Sequence, residues 1–234
     1  WHFAPTRRAR DLLLAENTPL TGIHVTGNTV VDALQAVSST GRPFTNPVLR
    51  ALTEKKERGL VLLTAHRRES FGQGLRDVFS AVRTLVDRDD SIDVVYPVHP
   101  NPNVSEPARE MLSGHPRIHL TDPLDYFDLV GALARARLVL TDSGGIQEEA
   151  PTFGVPVLVL REVTERPEGV EAGVAELVGT DPDRIVERSA AVLASTDRSV
   201  PPANPYGDGK AGARIADVLV SHLTGQPRTT TDWG

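Results

Sequence analysis

Three short segments carry residues whose types and spacing suit an anionic substrate. The first is Thr64-Ala65-His66-Arg67-Arg68-Glu69-Ser70-Phe71-Gly72, directly after an apolar run. Guanidinium forks match phosphate oxygens, and imidazole can donate a hydrogen bond or carry a proton near neutral pH. His66 and Arg67 are therefore anion-site candidates, although a solvated basic turn paired with Glu69 explains the same residues equally well. The second is Thr141-Asp142-Ser143-Gly144-Gly145-Ile146-Gln147-Glu148-Glu149. Ser143, Gly144 and Gly145 open a helix, where backbone N–H groups point outward and glycine lets a phosphate approach closely. Glu149 stands one turn further on, placed to accept hydrogen bonds from a ribose diol. The plainer alternative is that Asp142 or Ser143 caps the helix and the glycines only shape a turn. The strand–Ser–Gly–Gly–helix order favours the phosphate reading.

The third segment is Arg161-Glu162-Val163-Thr164-Glu165-Arg166-Pro167-Glu168-Gly169. Its polar neighbours could hold Arg166 for a phosphate or sugar, but taken alone the stretch reads better as an exposed ion-pair cluster. His99 ends another apolar run and could border the same crevice. None of these segments is a P-loop or a three-glycine dinucleotide fingerprint. Asp142-Ser143-Gly144 also lacks the Gly-x that precedes the serine of a nucleophile elbow, which argues against a serine hydrolase. His115 and His119 show no metal-ligand spacing, and His2, His24 and His222 read as ordinary side chains.

The elements that must position these residues follow from periodicity. Leu60–Leu63, Ile92–Tyr96, Arg117–Leu120, Leu138–Leu140, Val155–Leu160 and Ala175–Val178 are short β-branched or apolar runs, read as strands. Between them, Leu75–Val86 carries the i, i+3, i+4, i+7 stripe of a helix, and 105–112, 125–135 and Asp183–Leu193 read as helices too. Strands apolar on both faces, alternating with helices, imply a parallel sheet covered on both sides: an α/β, Rossmann-like, doubly wound domain. The ends fit less well. Pro5–Glu16 reads as a helix with Leu12, Leu13 and Leu14 as its apolar part, Ile23–Val25 as a lone strand, and Val30–Val37 as a helix. A break at Pro201–Pro205 precedes a helix over Ala211–Leu223, and the polar stretch Gly225–Gly234 is expected to be mobile.

Composition narrows the class. The 234 residues carry 25 Lys+Arg against 31 Asp+Glu, a net charge of −6 that argues against a generic nucleic-acid backbone binder. Cysteine is absent, which removes disulfides, zinc–thiolate sites and thiol nucleophiles together. No apolar run approaches the roughly 20 residues needed to cross a bilayer, and the first residues do not resemble a signal peptide. The expectation is a soluble, cytoplasmic protein with a small-molecule site, no nucleic-acid or membrane partner and no metal.

Several of these motifs occur together and in order in a known family. His66–Gly72, Tyr96-Pro97-Val98-His99-Pro100-Asn101-Pro102 and Leu140–Pro151 resemble the non-hydrolysing UDP-N-acetylglucosamine 2-epimerases. Thr164-Glu165-Arg166-Pro167-Glu168, Gly179-Thr180-Asp181 and Asn204-Pro205-Tyr206-Gly207-Asp208-Gly209 add to the resemblance, as do Phe3–Thr6 and Val25–Asp32. It implies a glycosyltransferase-B-like fold of two Rossmann-like domains. Residues 1–32 would then end a first domain, 33–200 form the C-terminal UDP-binding domain, and 201–234 return toward the first domain as a helix and tail.

The activity implied is interconversion of UDP-N-acetylglucosamine and UDP-N-acetylmannosamine. UDP is eliminated and re-added through 2-acetamidoglucal, without a cofactor. By resemblance Ser143, Gly144 and Gly145 cradle the diphosphate, Glu149 holds the ribose, and Arg67 and Arg166 bind substrate. His66 would stabilise or protonate the leaving UDP. Arg67 and His99 resemble positions that meet a second, allosteric UDP-N-acetylglucosamine in bacterial members. The catalytic carboxylates would lie before Trp1, so the chain alone is expected to bind UDP without turnover. A homodimer serving polysaccharide biosynthesis is the implied context. Leu124 and Leu129 depart from residues that some relatives carry near the uracil, leaving backbone groups to read the base. The UDP-gripping module of a glycosyltransferase-B-like glycosyltransferase, or a hydrolysing epimerase, would share much of this pattern.

Overall fold

The computed structural model describes residues 1–55, 58–195 and 203–234. The chain divides into two compact units, residues 1–40 with 204–234, and residues 41–203. Pro201 and Pro202, the start of the expected break and of the expected C-terminal segment, lie outside the described residues, as does residue 200.

In the first unit, β1 (His2–Ala4) runs through α1 (Arg7–Ala15) to β2 (Ile23–Val25), and the two strands pair in parallel. Ile23–Val25 is thus not a lone strand; its partner is three residues long, too short to show a period. Thr6 starts α1 by accepting from Ala9 N at 3.1 Å, so Pro5 stays outside the helix. α1 buries no residue, and Leu12 is 59% exposed, so the leucine run is no core face. α2 (Thr29–Ser39) begins at Asn28, whose side chain accepts from Val30 N.

The second unit opens with α3 (Pro47–Lys55), a helix the sequence pattern does not announce, started by Asn46 accepting from Val48 N and Leu49 N. The expected alternation follows. β3 (Gly59–Thr64), α4 (Gln73–Arg88), β4 (Ile92–Pro97), α5 (Pro102–Leu112), β5 (Ile118–Thr121), α6 (Tyr126–Leu133) and β6 (Ala136–Thr141) come first. α7 (Gly144–Glu149), β7 (Val157–Val159), α8 (Pro167–Glu171), β8 (Ala175–Leu177) and α9 (Pro182–Ala194) complete it. The six strands are all parallel, in the order β5-β4-β3-β6-β7-β8. The chain starts at the centre, winds outward to β5, then returns to build the other half from β6. That is the doubly wound order.

Side-chain alternation explains why both faces are covered. Val61, Leu63, Val94, Tyr96, Leu138 and Leu140 pack with Leu75, Phe79 and Val82 of α4, Val104 and Leu112 of α5, and Ile185 of α9. Leu62, Val95, Val139, Val157 and Val159 pack on the other face with Leu49 of α3, Leu133 of α6 and Ile146 of α7. Each such side chain contributes roughly 1.5–3 kcal/mol by leaving water. Neither face could be left bare.

α10 (Ala211–Thr224) belongs to the first unit. Asp32 of α2 accepts from Ala211 N at 3.1 Å and Gly212 N at 2.9 Å, supplying a cap that α10 lacks from its own sequence. Gly27 has φ +85°, and a Cβ there would come within 3.3 Å of Gly207 Cα, so this crossing requires glycine. The terminal stretch Gly225–Gly234, expected to be mobile, makes specific hydrogen bonds to the rest of its unit. Asp217 accepts from the Thr229 and Thr230 backbone N–H groups at 2.9 and 2.7 Å, and Trp233 N donates to Val25 O at 2.8 Å. Polarity here feeds specific hydrogen bonds instead of hydration.

Candidate functional site

The strand order reverses between β3 and β6, and in open parallel sheets the crevice for a ligand lies beyond the carboxyl ends of strands at such a point. The two strands are locked in register there, with Thr64 Oγ1 and Thr141 Oγ1 2.6 Å apart. Beyond them sit Ala65-His66-Arg67 on one side and Asp142-Ser143-Gly144 on the other. Asp142, fully buried, crosses the gap: its Oδ2 accepts from His66 N and Arg67 N, both at 2.7 Å. Burial pushes its carboxyl above the ordinary value, against those two N–H groups and the nearby His66 and Arg67. Tyr96 supports the same loop from beneath, donating to Ala65 O at 2.5 Å. Burial, reinforced by Asp142, raises the phenol far enough to keep it neutral.

Neither capping alternative holds at α7. Ser143 occupies the cap position, but its side chain makes no cap hydrogen bond, and Asp142 is turned toward the β3 loop. The first turn is closed by other groups: Ser143 N donates to Thr141 Oγ1 at 2.9 Å, and Gln147 Nε2 donates to Ser143 O at 3.2 Å. Over this turn two guanidinium groups converge. A Cβ on Gly144 would lie 3.6 Å from Arg67 Nη2 and 3.9 Å from Arg166 Cζ. Arg166 is aimed by its neighbours: its Nε donates to Glu148 Oε1, and its backbone N donates to Thr164 Oγ1 at 3.0 Å. Thr164 in turn donates to the buried Gln147 Oε1 at 2.6 Å. Two cations beside a glycine-lined helical turn make a place where a multiply charged anion is electrostatically favoured.

Glu149, at the end of the turn, has a buried Oε2 with no hydrogen-bond partner among the described residues. Burial first, and the charge of Glu148 second, raise its carboxyl above the ordinary value. Such an acceptor calls for a donor pair, and a vicinal diol supplies one. Tyr126 stands close enough to feel this charge, and burial with Glu149 raises its phenol. Leu124 and Leu129 pack partly against the second core cluster. Asp128 is locked as well, accepting from Thr45 Oγ1 at 2.6 Å and Asn46 N at 2.7 Å. Burial works against its charge, but these bonds and Arg42 outweigh burial and hold the carboxyl low.

His99 is exposed and stacks on His66, ring centroids 5.3 Å apart and planes within 8°. It also lines a cleft of about 500 Å³ with Ser105 and Arg109. A separate cleft of about 550 Å³ opens at the starts of β3, β4 and β6, at the end of the sheet away from these residues. The stretch Arg161–Glu165 is only partly the exposed cluster its sequence suggests. Arg161 is buried, joined to Glu69 at 2.6 Å and bidentate to Glu165, whose carboxyl this pairing lowers to about 2. Glu69 therefore braces β7 and does not neutralise its own turn. His119 and His115 pair with Asp93 and Asp87 at 2.9 and 3.2 Å, in line with structural roles.

The structure thus brings His66, Arg67, Ser143, Gly144, Gly145, Glu149 and Arg166 to one end of the sheet, with His99 beside His66. Asp142, Gln147, Glu148 and Thr164 enter as the residues that aim them. Sequence gives little sign of that role, because an acid between strand and helix has the look of a cap. Among the described residues no helix is long and apolar enough to cross a membrane.

Comparison with known proteins places this geometry. A sequence profile of UDP-N-acetylglucosamine 2-epimerase matches residues 1–220. The chain is 46% identical over 224 residues to the UDP-N-acetylglucosamine 2-epimerase of Bacillus subtilis, covering 94% of this chain and 58% of that protein. Among solved structures it is similar to a putative UDP-N-acetylglucosamine 2-epimerase from Listeria monocytogenes. That match has a TM-score of 0.91 and 44% identity and covers 100% of this chain and 62% of that one. An S. aureus MnaA–UDP co-structure matches with a TM-score of 0.90 and 39% identity, over 100% of this chain and 63% of that one. The chain spans about three fifths of the length of these relatives. It belongs to the UDP-N-acetylglucosamine 2-epimerase family.

Proposed function

We propose that this chain holds the UDP moiety in an enzyme that interconverts UDP-N-acetylglucosamine and UDP-N-acetylmannosamine. The carrying observation is the convergence of Arg67 and Arg166 over Gly144, with Glu149 Oε2, which has no hydrogen-bond partner among the described residues, one turn away. In this reading the diphosphate lies on Ser143, Gly144 and Gly145 between the two guanidinium groups, and the ribose hydroxyls donate to Glu149. Leu124 and Leu129 are engaged in the core, so backbone groups of the α6 start are left to read the uracil. Similarity to a relative solved with UDP supports the nucleotide assignment.

The reaction asks for loss of the C2 proton, cleavage of the C1–O bond to UDP and formation of a C1–C2 double bond. UDP then re-adds while C2 is reprotonated from the other face. Charge develops on the departing β-phosphate, and fixed cations with oriented N–H groups stabilise it most effectively because they need no reorganisation. His66, at the edge of the same crevice, is the group proposed to donate to that phosphate. His99 lines a neighbouring cleft, and a second nucleotide sugar is proposed to act as effector at His99 and Arg67.

Titration calorimetry of the 234-residue chain with UDP, UMP and uridine tests the site. The expected order is UDP tightest, with uridine lost first; equal affinity for all three would remove the diphosphate from the assignment. Protein of the relatives' full length carrying this sequence should form UDP-N-acetylmannosamine from UDP-N-acetylglucosamine without an acceptor sugar. Release of free N-acetylmannosamine would point to a hydrolysing enzyme instead.

A further inference from the structure

Asp142 is a fully buried acid at the strand ends, and the reaction as described gives it no part. Its two oxygens are unequally used. Oδ2 accepts both loop N–H groups, from His66 and Arg67. Oδ1 is buried and accepts no hydrogen bond among the described residues. The His66 ring nitrogen Nδ1 lies 3.8 Å from it, too long for a hydrogen bond but reachable by a small rotation of a side chain that is 39% exposed.

We propose that Asp142 is a positioning residue for His66: Oδ1 receives the Nδ1 proton and directs Nε2 at the substrate phosphate. A single buried carboxylate then fixes both the backbone of the β3 loop and the tautomer of its histidine. This rests on the proposed role of His66 at the diphosphate. With Nδ1–H held on Oδ1, Nε2 is the ring atom left to exchange a proton with the departing phosphate. An N–H donor must sit on Nδ1 for this arrangement; with the proton on Nε2 alone, Oδ1 and the Nδ1 lone pair would repel across the gap.

His66 is bordered by Arg67, by the His99 ring stacked on it, and by Tyr96, whose hydroxyl donates to Ala65 O. Among the described residues, Asp142 is the carboxylate that faces its Nδ1.

Asp142→Asn separates the two duties of the carboxylate. The amide oxygen can replace Oδ2 and keep both loop hydrogen bonds, while the NH₂ group turns toward Nδ1 and abolishes the charge. Imidazole NMR of the 234-residue chain reads the result, with the His66 signals, among seven histidines, assigned by their loss in His66→Gln. In the wild type the neutral form should be the Nδ1–H tautomer. In Asp142→Asn the amide N–H faces Nδ1, so the neutral form should switch to the Nε2–H tautomer, and UDP affinity at pH 7.5 should change with it by about three- to tenfold. In a His66→Gln background the same Asn substitution should no longer change UDP affinity. His99→Gln should leave the Nδ1–H tautomer in place. A wild-type His66 in the Nε2–H tautomer, or an Nδ1–H tautomer that persists in a folded Asp142→Asn chain, overturns the inference. Should Asp142→Asn fail to fold, the wild-type tautomer decides alone. Absence of any UDP binding would instead overturn the nucleotide reading, since the tautomer is measured without ligand.

Discussion

Arg166 donates from Nε to Glu148, and this ion pair joins the loop after β7 to the helix that opens at Gly144. The two residues are far apart in sequence order of elements yet act as one unit, because Thr164 and Gln147 bond alongside them at 2.6 Å. Changing Glu148 to Ala should therefore leave the loop in place through Thr164 while loosening the guanidinium, whose Nη1 still donates to Glu165 O at 3.1 Å. UDP affinity should fall by about three- to tenfold, the scale of one charge-assisted contact (~1 kcal/mol). Calorimetry at low and high salt checks this, and an unchanged Kd would show that Arg166 is held by other means.

Gly144 tests the close approach of a ligand to backbone. A Cβ at this position would meet Arg67 and Arg166 only at ordinary contact distances. Alanine is also the better helix former by about 1 kcal/mol. Gly144→Ala should thus keep or slightly raise the melting temperature while weakening UDP by roughly tenfold, because the methyl group occupies the space a phosphate oxygen needs. Loss of stability together with affinity would mean that the glycine serves the fold and not the ligand.

Glu149 gives a prediction in which stability and binding move oppositely. Its folded carboxyl is raised above the ordinary 4.5 by burial and by Glu148. The fold therefore holds this proton more tightly than the unfolded chain does. Stability on its account is full below the ordinary value and is lost as pH rises through the folded value. Glu149→Gln should flatten that decline above the ordinary 4.5 and raise the melting temperature at pH 7, while UDP binding weakens through the ribose. A melting temperature that falls at pH 7 would contradict the assignment of Oε2 as an unpartnered acceptor.

The parallel sheet and its two covered faces are legible in the sequence because strands such as Leu60–Leu63 and Leu138–Leu140 are apolar at every position. Legibility fails where the signal is too short or is shared between roles. His2–Ala4 is a strand only because Ile23–Val25 lies beside it. α3 carries only a short apolar stripe, Val48, Leu49 and Leu52, and is positioned by Asn46 and by Asp128 from another helix. At the site, residue types announce His66, Arg67 and the glycines, but the arrangement depends on groups with unremarkable neighbours. Asp142 looks like a cap, and Gln147 looks like a surface amide until Thr164 is seen to donate to it. Arg161 looks exposed, yet it is buried under Glu69 and Glu165. Long-range pairing leaves no local trace.

Asp128 is the acid-side counterpart of Glu149. It is buried, and it accepts from Thr45 N at 2.9 Å, Thr45 Oγ1 at 2.6 Å and Asn46 N at 2.7 Å, so it fixes the start of α3 against α6. Burial alone would raise its carboxyl, but these donors and Arg42 together leave it below the ordinary 3.8. The folded state then binds this proton less tightly than the unfolded chain does. Its contribution is fully present above the ordinary value and is lost as pH falls through the depressed one, so the window lies below about pH 4. Asp128→Ala removes the acceptor and strands two backbone N–H groups, at a cost of about 2–4 kcal/mol near neutral pH. Thr45→Val removes only the hydroxyl bond and should cost about 1 kcal/mol. Urea unfolding at pH 7 and pH 3 checks both, and the gap between wild type and Asp128→Ala should narrow at pH 3. A gap that stays constant with pH would show that the carboxylate's charge takes no part in holding α3.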